Sequence, residues 1–501
     1  MSKYLFRATI RGGGFYLLSR VNALAQSTQY KDCLITEGAS TAVFDIDTDK
    51  PEQVREDILK FLYESHDHSE PIKEMMFLVE YLKNQGIFPE LMARLLGKIR
   101  VVQMQTASVR LFSETFEPSY KAIKHKKQFD QFNQVLPAHQ SLTKGEDKKY
   151  VSDFTYNRHE QGRDLRKNIY RTLLEGVPDL KIGDYKFTNE LEELSKDDNQ
   201  GNLNGKIAYI YIDGNKFGKL QKEFKSAKEF KYFDRQLQGF KKKLLAKILR
   251  LCRSSNGKKV RLETLLWGGD ELKLIVPAWM GWRVASLFYQ VAEINKMNLK
   301  ATLEGKEREC ELTYAMGLVF TYHKNPVRNV DEIAAKLVDA AKDGLKSDDI
   351  KYPEYTRTCG NRMHYVVLES LETLPTSDYS DFAQSYYRQP ASLLSLTPQD
   401  MKVLDNFVSM LDVHFSKSRV HLIAKAFHNG DAEAYAKELQ RRLDVCDADK
   451  KEKLALIEKI KLITGSVFSL DNKVEAAMPS LGLRWLQAAE LWDYLLPDKD
   501  N

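Results

Sequence analysis

The chain has 501 residues, 76 Lys and Arg against 70 Asp and Glu, a formal charge of +6 and a 43% share of hydrophobic residues. That length exceeds what one hydrophobic core usually organises, and the composition excludes a disordered or fibrous chain. No run approaches the roughly 18 to 20 apolar residues of a membrane span, and Tyr4–Leu18 is broken by Arg7, Arg11 and three glycines, unlike a signal peptide. A cytoplasmic protein with no membrane partner is the expectation.

Residues 1–200 read as an N-terminal α+β domain. Strand-like runs occur at Tyr4–Ile10, Ser40–Ile46 and Arg100–Ala107. Pro51 opens a helix over 51–63, with Val54, Ile58, Leu59 and Leu62 on one face. The polar stretch Lys121–Tyr150 predicts a long loop, and Asp197–Gly205 has the composition of a linker. Cys33, Cys252, Cys310, Cys359 and Cys446 are odd in number and form no C-x-x-C pair, so neither a disulfide framework nor a zinc ribbon is indicated.

Residues 205–372 carry a βαββαβ-like pattern. Lys206–Ile212 is a short apolar run suited to a central strand, and residues 229–252 repeat apolar side chains at helical spacing. Val260–Leu266 and Glu271–Val276 predict a hairpin around a Gly-Gly turn. A helix at 279–299, a strand at 311–322, a helix at 330–345 and a strand at 363–368 complete the set. Residues 376–501 are helical throughout: Thr397-Pro398-Gln399-Asp400 is an N-terminal cap, and helices follow near 417–428, 431–442, 449–463 and 481–496.

The chemistry gathers in 205–372. A strand ending in Asp213 and a tight turn Gly268-Gly269-Asp270-Glu271 can together hold two divalent cations, which phosphoryl transfer uses to offset charge on the attacking and leaving oxygens. Carboxylates are the hard oxygen ligands that Mg2+ or Mn2+ prefers. Glycine at 268 and 269 accepts positive φ and lets a nucleotide approach the backbone. Between these points, residues 216–250 hold twelve Lys and Arg against Glu223, Glu229 and Asp234, a local charge of +9. Its first turns (Lys216, Lys219, Lys222) are expected near a phosphate, and Lys241 to Lys247 in solvent.

Three successive motifs now carry a resemblance. Ile212-Asp213-Gly214-Asn215-Lys216-Phe217-Gly218-Lys219, Leu266-Trp267-Gly268-Gly269-Asp270-Glu271-Leu272 and the strand from Ala315 through His323-Lys324-Asn325-Pro326 resemble the second palm domain in the large subunit of type III CRISPR effector complexes, itself akin to GGDEF cyclases. The similarity extends over roughly 165 residues and suggests a standalone relative. It implies a ferredoxin-like palm, an antiparallel sheet with helices on one face, preceded by the α+β domain and followed by the helical bundle. Within it, Asp213, Asp270 and Glu271 would be catalytic metal ligands, with the Gly214 carbonyl assisting. The amides of Asn215, Lys216, Phe217 and Gly218 would lie near the triphosphate, and Lys324, Lys342 and Lys346 would neutralise its charge.

The implied activity makes a cyclic nucleotide or oligonucleotide signal from nucleoside triphosphates, ATP first, in antiviral defence, with nucleic acid and defence proteins as partners. A catalytically inactive palm serving as a binding scaffold and a template-directed polymerase are the alternatives. The sequence departs from the family pattern in having GGDE for GGDD and Asn215 where a second acid is common, and it shows no convincing HD nuclease domain. His66-Asp67-His68 lies in a polar stretch rather than across helices. Asp45, Asp47 and Asp49 read as solvated acids, with a degenerate first palm as the other reading. Arg158, Arg163, Arg166, Lys167 and Arg171, near Tyr156 and Tyr170, read as a basic helix face or a phosphate-backbone grip.

Overall fold

The computed structural model describes residues 16–37, 41–64, 75–106, 129–294, 301–343, 360–368 and 379–496, short stretches within these apart. The strand reading at Tyr4–Ile10 and the His66-Asp67-His68 stretch lie outside them. The protein is α+β, with a β-sheet core and a C-terminal helical region. Among the described residues no helix is long and apolar enough to cross a membrane. Contacts divide the chain into two compact units: Met1–Glu190, Gly214–Leu274 and Asn295–Leu312 form the first, and Leu191–Asp213, Ile275–Ile294 and Thr313–Asn501 the second.

In the first unit a small antiparallel pair, β1 (Leu34–Glu37) and β2 (Ala42–Phe44), precedes helix α1 (Pro51–Tyr63), which has the bounds its periodicity predicts and buries Ile58 and Leu62. The buried Arg20 donates to the carbonyls of Phe61, Leu62 and Glu64 and so satisfies the open end of α1. Helix α2 (Phe88–Gln105) replaces the strand expected at Arg100–Ala107: Pro89 and Glu90 start it, and Leu91, Leu95, Ile99 and Val102 continue a helical period through the β-branched residues. The loop expected at Lys121–Tyr150 contains instead a hairpin, β3 (Gln140–Lys144) with β4 (Asp147–Val151). Leu142 and Val151 hold it against Phe132 and Tyr156 beside helix α3 (Asp153–Leu173).

The principal sheet is built from β5 (Lys206–Gly214), β6 (Glu263–Trp267), β7 (Glu271–Pro277), β8 (Tyr314–Tyr322) and β9 (Arg362–Leu368), in the order β9-β8-β5-β7-β6. The four strands before β9 give the 4-1-3-2 order of a ferredoxin-like palm. β9 extends it by pairing in parallel with β8, Ala315 opposite Arg362, so the sheet is not antiparallel at this edge. The connecting helices are α4 (Ala227–Leu251), α5 (Ala278–Ile294) and α6 (Val327–Asp343).

Within the second unit, helices lie on both faces of the sheet, not on one as expected. Residues on a strand alternate between faces. Gly317 of β8 presses on α6, where an added Cβ would strike the Ala334 carbonyl and come within 3.0 Å of the Leu337 Cβ. Phe320, three residues on and facing the other way, meets Gly281 of α5. β5 agrees: Ala208 faces Gly281, and Tyr211 packs with Ala315, Val338 and Ala341 beneath α6.

The C-terminal helices α7 (Pro398–His414), α8 (Lys417–His428), α9 (Ala432–Asp444), α10 (Lys450–Thr464) and α11 (Leu483–Leu495) follow the sequence reading closely. Thr397 and Asp400 form the expected capping box. These helices share a core with the sheet: the Tyr494 ring lies 4.1 Å from that of Phe320, and Trp282 donates to Asp405 at 2.6 Å. The linker-like Asp197–Gly205 stretch is a 3-10 segment, Asp198–Leu203, with Leu203 buried. Half-buried Glu490 on α11 accepts from the Tyr387 hydroxyl at 2.9 Å, and desolvation raises its carboxyl to about 7.

Because Gly317 has no room for a side chain, Gly317→Ala should destabilise the protein by about 1 to 3 kcal/mol, the usual cost of overpacking. Urea denaturation measures this, and an unchanged midpoint would mean that α6 can back away from β8.

Candidate active site

β5 is β-branched and aromatic where it is buried: Ile207, Ala208, Tyr209, Ile210 and Ile212 are at most 1% exposed. Such a strand has no solvent face, so its first polar side chain after Tyr211, Asp213, comes only where the strand ends. Asp213 points to the α6 side, and the ammonium of Lys342 pairs with its Oδ2. The two side chains are 21% and 29% exposed, so the pair is open to water and adds little to stability.

Gly214 follows. Its N–H donates to the Asp270 carbonyl at 3.1 Å. A Cβ here would enter the Phe217 ring and come within 2.9 Å of the Asp270 Cβ, so glycine is what lets strand end, aromatic ring and acidic turn approach. Lys216 then adopts a left-handed φ of 57°, a conformation costing roughly 1 to 2 kcal/mol for a residue with a side chain. That turn feeds the short helix Phe217–Leu220, whose Phe217 is buried against Phe233 at 6.1 Å. Gly218 and Lys222 are exposed.

The acidic turn lies between β6 and β7, with the Gly268 N–H donating to the Glu271 carbonyl at 2.8 Å. Neither Gly268 nor Gly269 has a positive φ, so that part of the expectation does not hold. At Gly269 an added Cβ would meet nothing within 4 Å. Glu271 lies 3.7 Å from the Lys273 ammonium.

Among the expected cationic contacts, Lys342 reaches Asp213, and Lys346 lies outside the described residues. Lys324 is not brought to Asp213. The neighbouring His323 bonds to the Gly205 carbonyl at 2.7 Å, at the start of β5, and Lys324 lies near Glu192. The strand between Gly205 and Asp213 spans roughly 25 Å at ~3.3 Å per residue.

Lys241, expected in solvent, is 5% exposed and donates to the Gly268 carbonyl. The signal was present in the sequence, since position 241 falls on the stripe Phe233, Leu237, Leu244 and Ile248 that α4 buries. Asp45, Asp47 and Asp49 are exposed, as solvated acids should be.

Among the described residues, no group of three or more His, Cys, Asp or Glu side chains is gathered to hold a metal ion. The donor chemistry nevertheless fits one: Asp213, Asp270 and Glu271 offer hard oxygens, and Asp213 already holds a cation, the Lys342 ammonium.

Residues 206–351 match the family model of the Cas10/Cmr2 second palm domain. The matched segment is a palm of this type. No curated protein matches the chain. Among solved structures, it is similar to Csm1 of T. onnurineus, at 13% identity over 99% of this chain and 66% of that one, TM-score 0.40. Csm1–Csm4 cassettes in complex with AMPPNP and with cA4 each match at 11% identity over 99% of this chain and 67% of the other, with TM-scores of 0.45 and 0.42. The chain spans about two thirds of the length of these proteins.

Gly214→Ala should displace either Phe217 or the acidic turn of the Cas10/Cmr2-type palm and cost about 1 to 3 kcal/mol. Thermal melting tests this, and a variant as stable as the parent would show that the close approach is not required.

Proposed function

We propose that this palm is a metal-dependent nucleotidyltransferase or cyclase that joins nucleoside triphosphates, ATP first, into a cyclic nucleotide or oligonucleotide signal for a defence system. The observation that carries the reading is the hydrogen bond from the Gly214 N–H to the Asp270 carbonyl, because it ties the peptide following Asp213 to the acidic turn. The family match over 206–351 supports it.

Asp213, Asp270 and Glu271, with the Gly214 carbonyl, would hold Mg2+ or Mn2+. Bound there, the ions would neutralise charge building on the α-phosphate as a hydroxyl attacks and pyrophosphate leaves. The chain's own groups supply the rest. Lys342, on the Asp213 carboxylate in the absence of a ligand, would turn to the triphosphate, and the amides from Asn215 to Gly218 would face its oxygens. Gly269 leaves the turn open to a ligand without a Cβ in the way. The domain limits 1–200, 205–372 and 376–501, and nucleic-acid and protein partners in the defence system, belong to the same proposal.

One observation favours the rival reading of an inactive nucleotide- or nucleic-acid-binding scaffold: the Asp213 carboxylate is paired with Lys342, and no three-acid cluster is assembled among the described residues. The two readings part on a single experiment, incubation of the purified chain with all four nucleoside triphosphates and Mg2+ or Mn2+, followed by mass spectrometry of the products. A cyclised or joined product supports the enzyme; none under any metal supports the scaffold. Asp270→Ala should abolish product, on the order of a thousandfold or more in rate for a lost metal ligand, in a chain that still folds by thermal melting.

A further inference from the structure

The acidic turn begins with two glycines, which contribute no side chain to hold it, and glycine has the largest backbone freedom to lose. Its shape must be set by main-chain partners. Among the described contacts, three engage its backbone groups. The Gly268 N–H meets Glu271 across the hairpin, the Asp270 carbonyl accepts from Gly214, and the Gly268 carbonyl accepts from the Lys241 ammonium. Only the last partner is a side chain from another element, helix α4.

Lys241 is buried for this contact at a cost that a solvated lysine would avoid. The stem of the residue lies on the apolar face of α4, and the carboxylates of Glu37, Asp234 and Asp270 are the anions that offset its charge. Asp234 is itself held by the Thr36 hydroxyl at 2.9 Å. Burial lowers the ammonium to about 8, so it remains the cationic donor at neutral pH.

We infer that Lys241 is a positioning residue for the acidic turn: through the Gly268 carbonyl it fixes the backbone from which Asp270 and Glu271 project. This rests on the proposed reading of that turn as the reacting centre. Two roles of the buried lysine separate by substitution. Lys241→Gln keeps an N–H donor and loses the charge, Lys241→Met loses both, and Asp234→Asn removes one of the anions that offset the charge while leaving the contact to Gly268.

The full-length chain and these variants are compared by hydrogen exchange at the backbone amides of 268–272 and by Mn2+ titration. Exchange there should be about tenfold faster in Lys241→Met, with Lys241→Gln and Asp234→Asn near the parent. Mn2+ affinity should fall about tenfold in the methionine variant and recover in the glutamine one. Equal exchange in Lys241→Met and the parent would overturn the inference. So would equal acceleration in Asp234→Asn, which would make the effect one of buried charge. If Lys241→Met does not fold, the charge-balanced double variant Lys241→Met/Asp234→Asn takes its place with the same expectation. A parent chain that binds no Mn2+ would remove the functional reading, and the exchange comparison would still decide whether Lys241 holds the turn.

Discussion

A strand with no solvent-facing side has to be covered twice. β5 is such a strand, apolar on consecutive residues from Ile207 to Ile212 and buried there except at half-buried Tyr211. Every side chain burial on one face needs a partner there, and at ~25 cal/mol per Å² of apolar surface neither face can be left open. α5 closes one side through the meeting of Ala208 with Gly281, and α6 the other through Tyr211 with Val338 and Ala341. The placement of Lys342 follows: it lies one residue beyond Ala341, on the helix that covers the face to which Asp213 points.

The end of that strand also shows how much of the candidate site is set by the backbone rather than by side-chain packing. Gly214 joins strand, aromatic ring and turn through an N–H and an absent Cβ. Two residues on, Lys216 has a left-handed φ, and it is followed by buried Phe217, whose ring sits against Phe233. Strain of this kind persists only where surrounding packing fixes it, and it collects where a ligand must be met.

The sequence made the regular elements legible because their signals are local. Pro51, Thr397 with Asp400, and the unbroken apolar run before Asp213 each mark an element within a few residues. Local signals failed where two were present together. Val101 and Val102 favour a strand, yet Pro89 and the spacing of Leu91, Leu95 and Ile99 had already committed the segment to a helix. Residues 140–151 look polar because one face of their hairpin is solvated, and only Leu142 and Val151 report its core. For the candidate site, the directions of side chains were not readable. Lys324 follows β8 in sequence, but the strand carries it away from Asp213, whereas Lys342 returns along α6. Lys241 was hidden among eleven other basic residues in 216–250, and only its register on α4 sets it apart.

The seam between sheet and helical region has a consequence for acidity. Half-buried Glu490 on α11 takes hydrogen bonds from Tyr387 and from Tyr365 of β9. Its ordinary value is 4.5 and burial moves it to about 7, so the folded protein binds this proton more tightly than the unfolded chain does. The contribution of the group to stability is thus complete below pH 4.5 and is lost as pH rises through 7. A melting temperature that climbs on acidification from alkaline pH through neutrality would be the signature of this proton on the seam between β9 and α11.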